Sequence, residues 1–269
     1  MLISVCIPTY NGQQYIAESL KSVLNQSHHE LEVVIADHGS SDSTLDIVKS
    51  FQDDRIRIVN TQRSSSIADN WNHAVRVSRG DLIKVMGQDD ILYSNALRSE
   101  LAVLNSYDHD VAFCFSNRDI INPASRVTLR PRRRQKGVGR VAAADLIRLI
   151  VRSGTNPIGE PVAVLFRRRV FEQVGGFRGD YVIDLDLYIR LLGAGDGVWT
   201  GECIGGFRVH AASWGSRLMI SQFQNLLLFA ELHRDRPDII RKSDLVVGRL
   251  RAVIRTPIRI VVQQVNGYL

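Results

Sequence analysis

The chain has 269 residues, of which 45% are hydrophobic and 23% charged, enough apolar material for the core of one large domain or a domain with an appendage, and this excludes a disordered or fibrous class. A formal net charge of +6 and a pI near 9.5 favour anionic partners without choosing among phosphate groups, nucleic acid and an acidic membrane surface. Cys6, Cys114 and Cys203 are too widely spaced for a zinc site and odd in number, and with no basic leader and no run of about 18 apolar residues the sequence reads as a cytoplasmic chain that does not span a membrane.

Leu2 to Ile7 is short and apolar and runs into Pro8-Thr9-Tyr10-Asn11-Gly12, the pattern of a buried strand delivering a loop. Apolar positions Tyr15, Ile16, Leu20, Val23 and Leu24 then fall at helical spacing, and Leu31 to Ala36 forms a second strand ending at Asp37. Ser43 to Phe51 predicts a helix, Ile56 to Val59 a strand, Ile67 to Ser78 a helix and Leu82 to Met86 a strand. This alternation predicts a mostly parallel sheet with helices on both faces, and in such sheets ligands sit beyond the carboxyl ends of the strands. Pro8-Thr9-Tyr10, Asp37 and Asp89-Asp90 should therefore converge on one crevice. Farther on, Val111 to Ser116 predicts a strand. Arg126 to Arg140, with seven basic and no acidic residues, predicts a loop. Val162 to Phe166 predicts a strand, Arg169 to Val174 a helix closed by Gly175-Gly176, and Leu185 to Leu192 a helix, with mainly helical structure from Ser221 onward.

Asp89 and Asp90 are adjacent carboxylates at a strand end, hard oxygen ligands suited to Mg²⁺ or Mn²⁺ on a diphosphate. A turn or helix-capping pair on the surface is the bland reading of the same two residues. Their surroundings decide between the two. Val5-Cys6-Ile7-Pro8-Thr9-Tyr10-Asn11-Gly12, Ile35 to Asp42, and Gly80 to Asp90 resemble, in order and spacing, successive motifs of the family 2 glycosyltransferases of GT-A fold. The likeness continues through Phe166-Arg167-Arg168, Val174-Gly175-Gly176-Phe177, Asp184 to Leu191 and Arg208-Val209-His210.

That resemblance implies a GT-A domain over residues 1–215, with 1–95 as the nucleotide-binding half and 96–215 as the acceptor half, and a C-terminal helical extension over 216–269. It implies an inverting transfer of a sugar from a nucleoside diphosphate, UDP favoured, to a saccharide or lipid-linked acceptor, with bacterial surface-polysaccharide assembly as the setting. Pro8, Thr9, Tyr10, Asp37, Asn70 and Asp89 would hold the nucleotide, and Asp89, Asp90 and His210 would hold Mn²⁺ or Mg²⁺. Asp184 would be the base that takes the acceptor proton. Each has a structural alternative: Tyr10 as a packed aromatic, Asp37 as a turn-former, His210 as a hydrogen-bonder and Asp184 as the cap of a helix starting at Leu185. Trp71 is read equally as packing or as a sugar platform. The family's acidic motif commonly reads Asp-x-Asp-Asp, and here its first position is Gly87, which leaves open which of Asp89 and Asp90 meets the ion.

Two surfaces stand outside the motifs. Arg130 to Lys136 is either a solvated loop or a phosphate-binding acceptor loop, and without interleaved aromatics it does not read as a nucleic-acid site. Val246, Val247, Leu250, Val253, Ile254, Pro257, Ile258, Val261 and Val265 recur at helical spacing with Arg255 and Arg259 opposite. This apolar face would pack on the domain, on a second subunit of a homodimer, or peripherally on the inner face of a membrane. Neither G-x-G-x-x-G nor G-x-x-x-x-G-K-[ST] follows the first strand, which argues against other nucleotide-binding α/β enzymes. A degenerate protein of the same fold that binds a nucleotide sugar or a partner without turnover is the remaining alternative.

Overall fold

A computed structural model of the chain describes residues 1–61, 66–108, 110–130, 138–179, 182–210 and 218–254. Strand β1 (Ile3–Thr9) is flanked in parallel by β2 (Leu31–Asp37) and β4 (Leu82–Val85), and β3 (Ile56–Asn60) lies parallel beyond β2. The crossovers are α1 (Ile16–Leu24), α2 (Thr44–Ser50) and α3 (Ile67–Val77), so the expected β-α-β alternation holds, with α3 opened by a reciprocal capping box between Ser66 and Asp69. After β5 (Ile91–Leu92) and α4 (Ala96–Asn105) the sheet becomes mixed. Strand β9 (Val164–Arg167) runs antiparallel to both β4 and β6 (Val111–Ile121), and β7 (Val127–Leu129) runs antiparallel to β6. The long β10 (Asp196–Arg208) is parallel to β6 and antiparallel to both β5 and β8 (Gly139–Val141). The main order is β3-β2-β1-β4-β9-β6-β10-β5.

Because successive side chains of a strand point to opposite faces, each strand feeds two cores. Cys6, Val34, Ala36, Ile83, Phe113 and Phe166 face α3, α5 (Ala143–Ser153), α7 (Ile183–Leu192) and α8 (Leu218–Asp235). Ile3, Val5, Ile7, Val33, Ile35 and Leu82 face α1, α2 and α4. Both faces are covered, which is why these strands read as apolar runs rather than alternating patterns.

The structure differs from the sequence expectations in several elements. The segment 126–140, expected to be a loop, carries β7 and β8 at its two ends, while Pro131 to Lys136 lies outside the described residues. The strand expected from Val162 is preceded by a 3-10 turn at Pro161–Ala163 and begins at Val164. Strand β10 was hidden by its glycines: a Cβ on Gly205 would meet the Ile91 carbonyl oxygen at 2.4 Å, so close pairing with β5 demands a residue that contributes little to a strand pattern. The helix 242–254 docks on α5 through Asp244, Gly248 and Ala252, all buried, rather than through the apolar face of Val246, Leu250, Val253 and Ile254, which is exposed. Pro257, Ile258, Val261, Val265, Arg255 and Arg259 lie outside the described residues.

Between the sheet and α4 sits a charge pair without solvent. Lys84 Nζ donates to Glu100 Oε1 at 2.7 Å, both side chains being 0% exposed, and also to the Val164 carbonyl at 3.3 Å. Burial pushes the Glu100 carboxyl above its ordinary range, and its Oε2 has no hydrogen-bond partner among the described residues. Removing one partner of such a pair strands the other. Lys84→Met alone is therefore expected to cost about 3–5 kcal/mol, and the double variant Lys84→Met/Glu100→Leu less than either single change. Urea unfolding of the three variants measures this, and additive losses would show that the pair does not act as a unit.

Candidate active site

The carboxyl ends of β1, β2 and β4 meet at one rim. Thr9 is buried, while Tyr10, one residue past the strand, exposes 44% of its surface, so it is not a core aromatic. The Tyr10 backbone is clamped by a single side chain: its N–H donates to Gln88 Oε1 at 2.9 Å and its carbonyl accepts from Gln88 Nε2 at 3.0 Å. The next residues are stitched to the loop after β2. Asn11 N donates to Ser40 Oγ, Ser41 N to Asn11 Oδ1, and Gly12 N to Thr44 Oγ1, all at 2.8–2.9 Å. Asp37, 3% exposed, accepts from the amides of Gly39 and Ser40 at 3.0 Å each and from Ser40 Oγ at 2.5 Å. Its turn-forming role is thus realised, holding the loop that Tyr10 faces. Asn70 ties the start of α3 to the end of β2 through Nδ2 and the Ala36 carbonyl at 3.1 Å, and its buried Oδ1 has no partner among the described residues. Trp71 packs edge-on against Phe177 with ring centres 5.1 Å apart, which is the packing reading.

The two adjacent carboxylates have opposite surroundings. Asp90 is 2% exposed, its Oδ1 accepting the Arg208 amide at 3.0 Å and its Oδ2 the Gly87 amide at 3.3 Å. Burial, reinforced by the charge of Asp89, pushes the Asp90 carboxyl well above the usual range. Asp89 turns outward and meets His210 Nε2 at 2.9 Å, the two side chains keeping 21% and 14% exposure. The missing acid of the motif has a local counterpart: a Cβ at Gly87 would meet Asp89 Oδ1 at 2.6 Å, so the carboxylate occupies that space.

Arg208 underlies both carboxylates. Its side chain is 0% exposed, and its Nε donates to the Asp89 carbonyl at 2.7 Å, Nη2 to Glu18 at 2.7 Å, and Nη1 to the Asn122 carbonyl at 3.1 Å and Ser125 Oγ at 2.9 Å. The guanidinium lies 4.6 Å from the centre of the Tyr15 ring, which in turn sits 4.9 Å from the His210 ring.

Asp184 enters from α7. That helix begins at Ile183 after Val182, whose φ of 48° is left-handed, a strained conformation for a β-branched residue. Asp184 is consequently the second helical residue and not the cap of a helix starting at Leu185. Burial pushes its carboxyl up to about 6, with the charge of Glu160 adding to that and the Leu185 amide and Asn156 opposing it. Asn156 Nδ2 donates to Asp184 Oδ2 at 3.1 Å and also to the Gly159 carbonyl at 2.9 Å. Glu160 is salt-bridged to Arg118, and its charge raises both Asp90 and Asp184, which links the acidic rim to the α7 carboxylate. Asp186 faces elsewhere, bonded to Arg190 at 2.6 Å. Gln88 and Arg208 lie inside motifs that gave them no role, and Asn156, Glu160 and Arg118 went unremarked. Asn156-Pro157-Ile158-Gly159-Glu160-Pro161, two polar residues in a Pro/Gly-rich stretch ahead of an apolar run, is a turn signal that would have marked two of them.

No helix among the described residues is long and apolar enough to cross a membrane. Nor do the described residues hold a group of three or more His, Cys, Asp or Glu placed to bind a metal.

Residues 4–175 match the family described as Glycosyl transferase family 2, and the chain belongs to that family. It is 34% identical over 199 residues, 71% of this chain, to an uncharacterized protein of Mycobacterium tuberculosis, of which the match covers 62%. It is 31% identical over 126 residues to the Escherichia coli UDP-Glc:alpha-D-GlcNAc-diphosphoundecaprenol beta-1,3-glucosyltransferase WfgD, covering 47% of this chain and 49% of that one. The matches thus span 62% and 49% of these relatives' length, less than two thirds in both. Among solved structures, Staphylococcus aureus TarS 1-349 in complex with UDP-GlcNAc superposes with a TM-score of 0.68 at 18% identity, over 86% of this chain and 66% of that one. The mannosyltransferase PcManGT of Pyrobaculum calidifontis, in complex with GDP-Man and Mn2+, gives 0.60 at 18% identity over 95% and 75%. The fold is therefore of GT-A type.

A carboxyl held above its ordinary range stabilises the folded state while it keeps its proton, so that contribution is complete below about pH 4 and is lost as pH rises through about 6. Asp184→Asn, which keeps an acceptor for Asn156, is expected to raise folding stability at neutral pH by ~2 kcal/mol and to leave it unchanged near pH 4. Denaturant unfolding at the two pH values measures this; equal stability of variant and wild type at neutral pH would refute the buried-carboxylate account.

Proposed function

We propose that the chain is an inverting glycosyltransferase that moves a sugar from a nucleoside diphosphate, UDP favoured, to a saccharide or lipid-linked acceptor in polysaccharide biosynthesis. The observation that carries this reading is the division of labour at Asp89-Asp90: the backbone amides of Gly87 and Arg208 take up Asp90, leaving Asp89 with His210 at the rim where Tyr10 is exposed. Residues 1–95 bring Pro8, Thr9, Tyr10, Asp37 and Asn70 to the nucleotide side, with Asp37 and Gln88 shaping the loops and Tyr10 presenting a partly exposed ring set edge-on to His38. Residues 96–215 bring Asp184 to the acceptor side. The WfgD name pairs UDP-Glc with a diphosphoundecaprenol-linked acceptor, and TarS and PcManGT were solved with UDP-GlcNAc and GDP-Man; all support a nucleotide-sugar donor.

An imidazole and a carboxylate, both partly open, suit Mn²⁺ or Mg²⁺, which fills its remaining positions with water and phosphate oxygens. Asp89 and His210 would hold such an ion, which would supply charge neutralisation for the departing diphosphate. The acceptor hydroxyl attacks the anomeric carbon opposite that leaving group. Its proton passes to Asp184, and the electrons of the broken C–O bond go to the diphosphate. A carboxyl near 6 is ionised at neutral pH and more basic than a free aspartate. Asn156 orients it, and Glu160 sustains its basicity.

Calorimetric titration of UDP, GDP and their sugars with and without Mn²⁺ tests the binding half. Wild type should bind one nucleotide in a metal-dependent way and Asp89→Ala should lose it; no binding across the panel by folded protein would return the reading to a partner-binding relative. For the chemical half, kcat/KM should fall as pH drops below about 6, and Asp184→Asn should lose about 10²–10⁴-fold in kcat with donor binding intact. Near-wild-type turnover in that variant would remove Asp184 as the base.

A further inference from the structure

The helix 242–254 turns a small-residue face inward. A Cβ on Gly248 would meet the Val151 carbonyl oxygen at 2.1 Å, and one on Gly154 would meet the Gly248 carbonyl at 2.3 Å, so the helix and α5 are in backbone contact. Asp244, 2% exposed, accepts from Arg152 Nη1 at 2.6 Å and lies 3.5 Å from Arg148. Arg251 Nη1 reaches the Arg152 carbonyl at 3.1 Å. The helix is thus anchored firmly by one side.

Its opposite side is apolar and open. Val246, Leu250, Val253 and Ile254 are 55%, 60%, 72% and 66% exposed, and their spacing of i, i+4, i+7 and i+8 makes one continuous stripe at about 100° per residue. By the same spacing Arg249 falls on one flank of the stripe with Lys242, and Arg251 on the other, all three exposed. Asp244 is the one acidic residue in 242–254. An apolar stripe bordered by cations on both sides is the arrangement of a helix that lies in a lipid–water interface, its apolar side chains in the acyl boundary and its arginines at the phosphates.

We propose that this face docks the protein on the surface of an anionic lipid bilayer. Charge complementarity selects that occupant. A two-fold pairing of the stripe with a second copy would bring the Arg249 and Arg251 rows together, and the helix has no exposed carboxylate to answer them. An anionic headgroup layer answers both rows at once and also attracts a chain of net charge +6. The surface is independent of the chemistry at Asp89 and Asp184, so it stands or falls separately from the proposed transfer reaction.

Sedimentation with vesicles tests it. The full chain should pellet with phosphatidylcholine vesicles containing about one third phosphatidylglycerol, less so with rising salt, and not with pure phosphatidylcholine. Leu250→Glu with Val253→Glu, both at exposed positions, should lower the bound fraction about tenfold or more with an unchanged melting temperature. Lys242→Glu with Arg249→Glu, both at exposed positions, should abolish the anionic preference. No pelleting with either vesicle at low salt would overturn the proposal, as would binding that both double variants retain. So would a concentration-dependent dimer in sedimentation equilibrium that Leu250→Glu disrupts and that does not bind vesicles.

Discussion

The guanidinium of Arg208 has no solvent exposure, and both members of the Asp89-Asp90 pair are tied to its side chain or its backbone. Its amide holds Asp90, its Nε the backbone of Asp89, its Nη2 Glu18 on α1, and its Nη1 the turn between β6 and β7. A buried cation is tolerable only when its donors are met, so the end of β10, the start of α1 and the loop after β4 must assemble around it together. His210 follows two residues later, which is why its ring comes to lie between Asp89 and Tyr15. The position of the candidate metal ligands thus follows from satisfying one arginine.

Around that constraint the fold separates carboxylates by environment. Asp90 is dry and engaged by amides, Asp89 is partly open with an imidazole, and Asp184 is half-buried and held by the Asn156 side chain. Glu160 raises two of the three without joining them, being itself paired with Arg118. Groups of one chemical type acquire different basicities in this way, the condition for one to serve as a ligand and another as a proton acceptor.

Legibility followed the range of the interactions. The first half of the sheet could be read residue by residue because its strands are short apolar runs closed by Pro8, Asp37 and the Asp89-Asp90 pair, and its helices carry helical spacing. Gly175 and Gly176, with φ of 79° and 70°, close α6 (Arg168–Gln173) where the glycine pair suggested. The second half resisted: β10 is interrupted by glycines and register shifts, and β7 and β8 lie at the ends of a basic stretch whose composition reads as loop. For the terminal helix, periodicity identified an amphipathic face but not which side docks, because close approach at Gly154 and Gly248 outweighs apolar area when two backbones meet.

Fold class, family and the residue types at the rim are properties of the linear order, since strand ends and motif spacing are local features that period and turn chemistry determine. Which of two neighbouring aspartates faces outward, how basic Asp184 becomes, and that Asn156, Glu160 and Arg208 serve the site depend on contacts between residues 28 to 190 positions apart. Those contacts set burial and hydrogen bonding, and burial and hydrogen bonding, not residue identity, decide what a carboxylate can do.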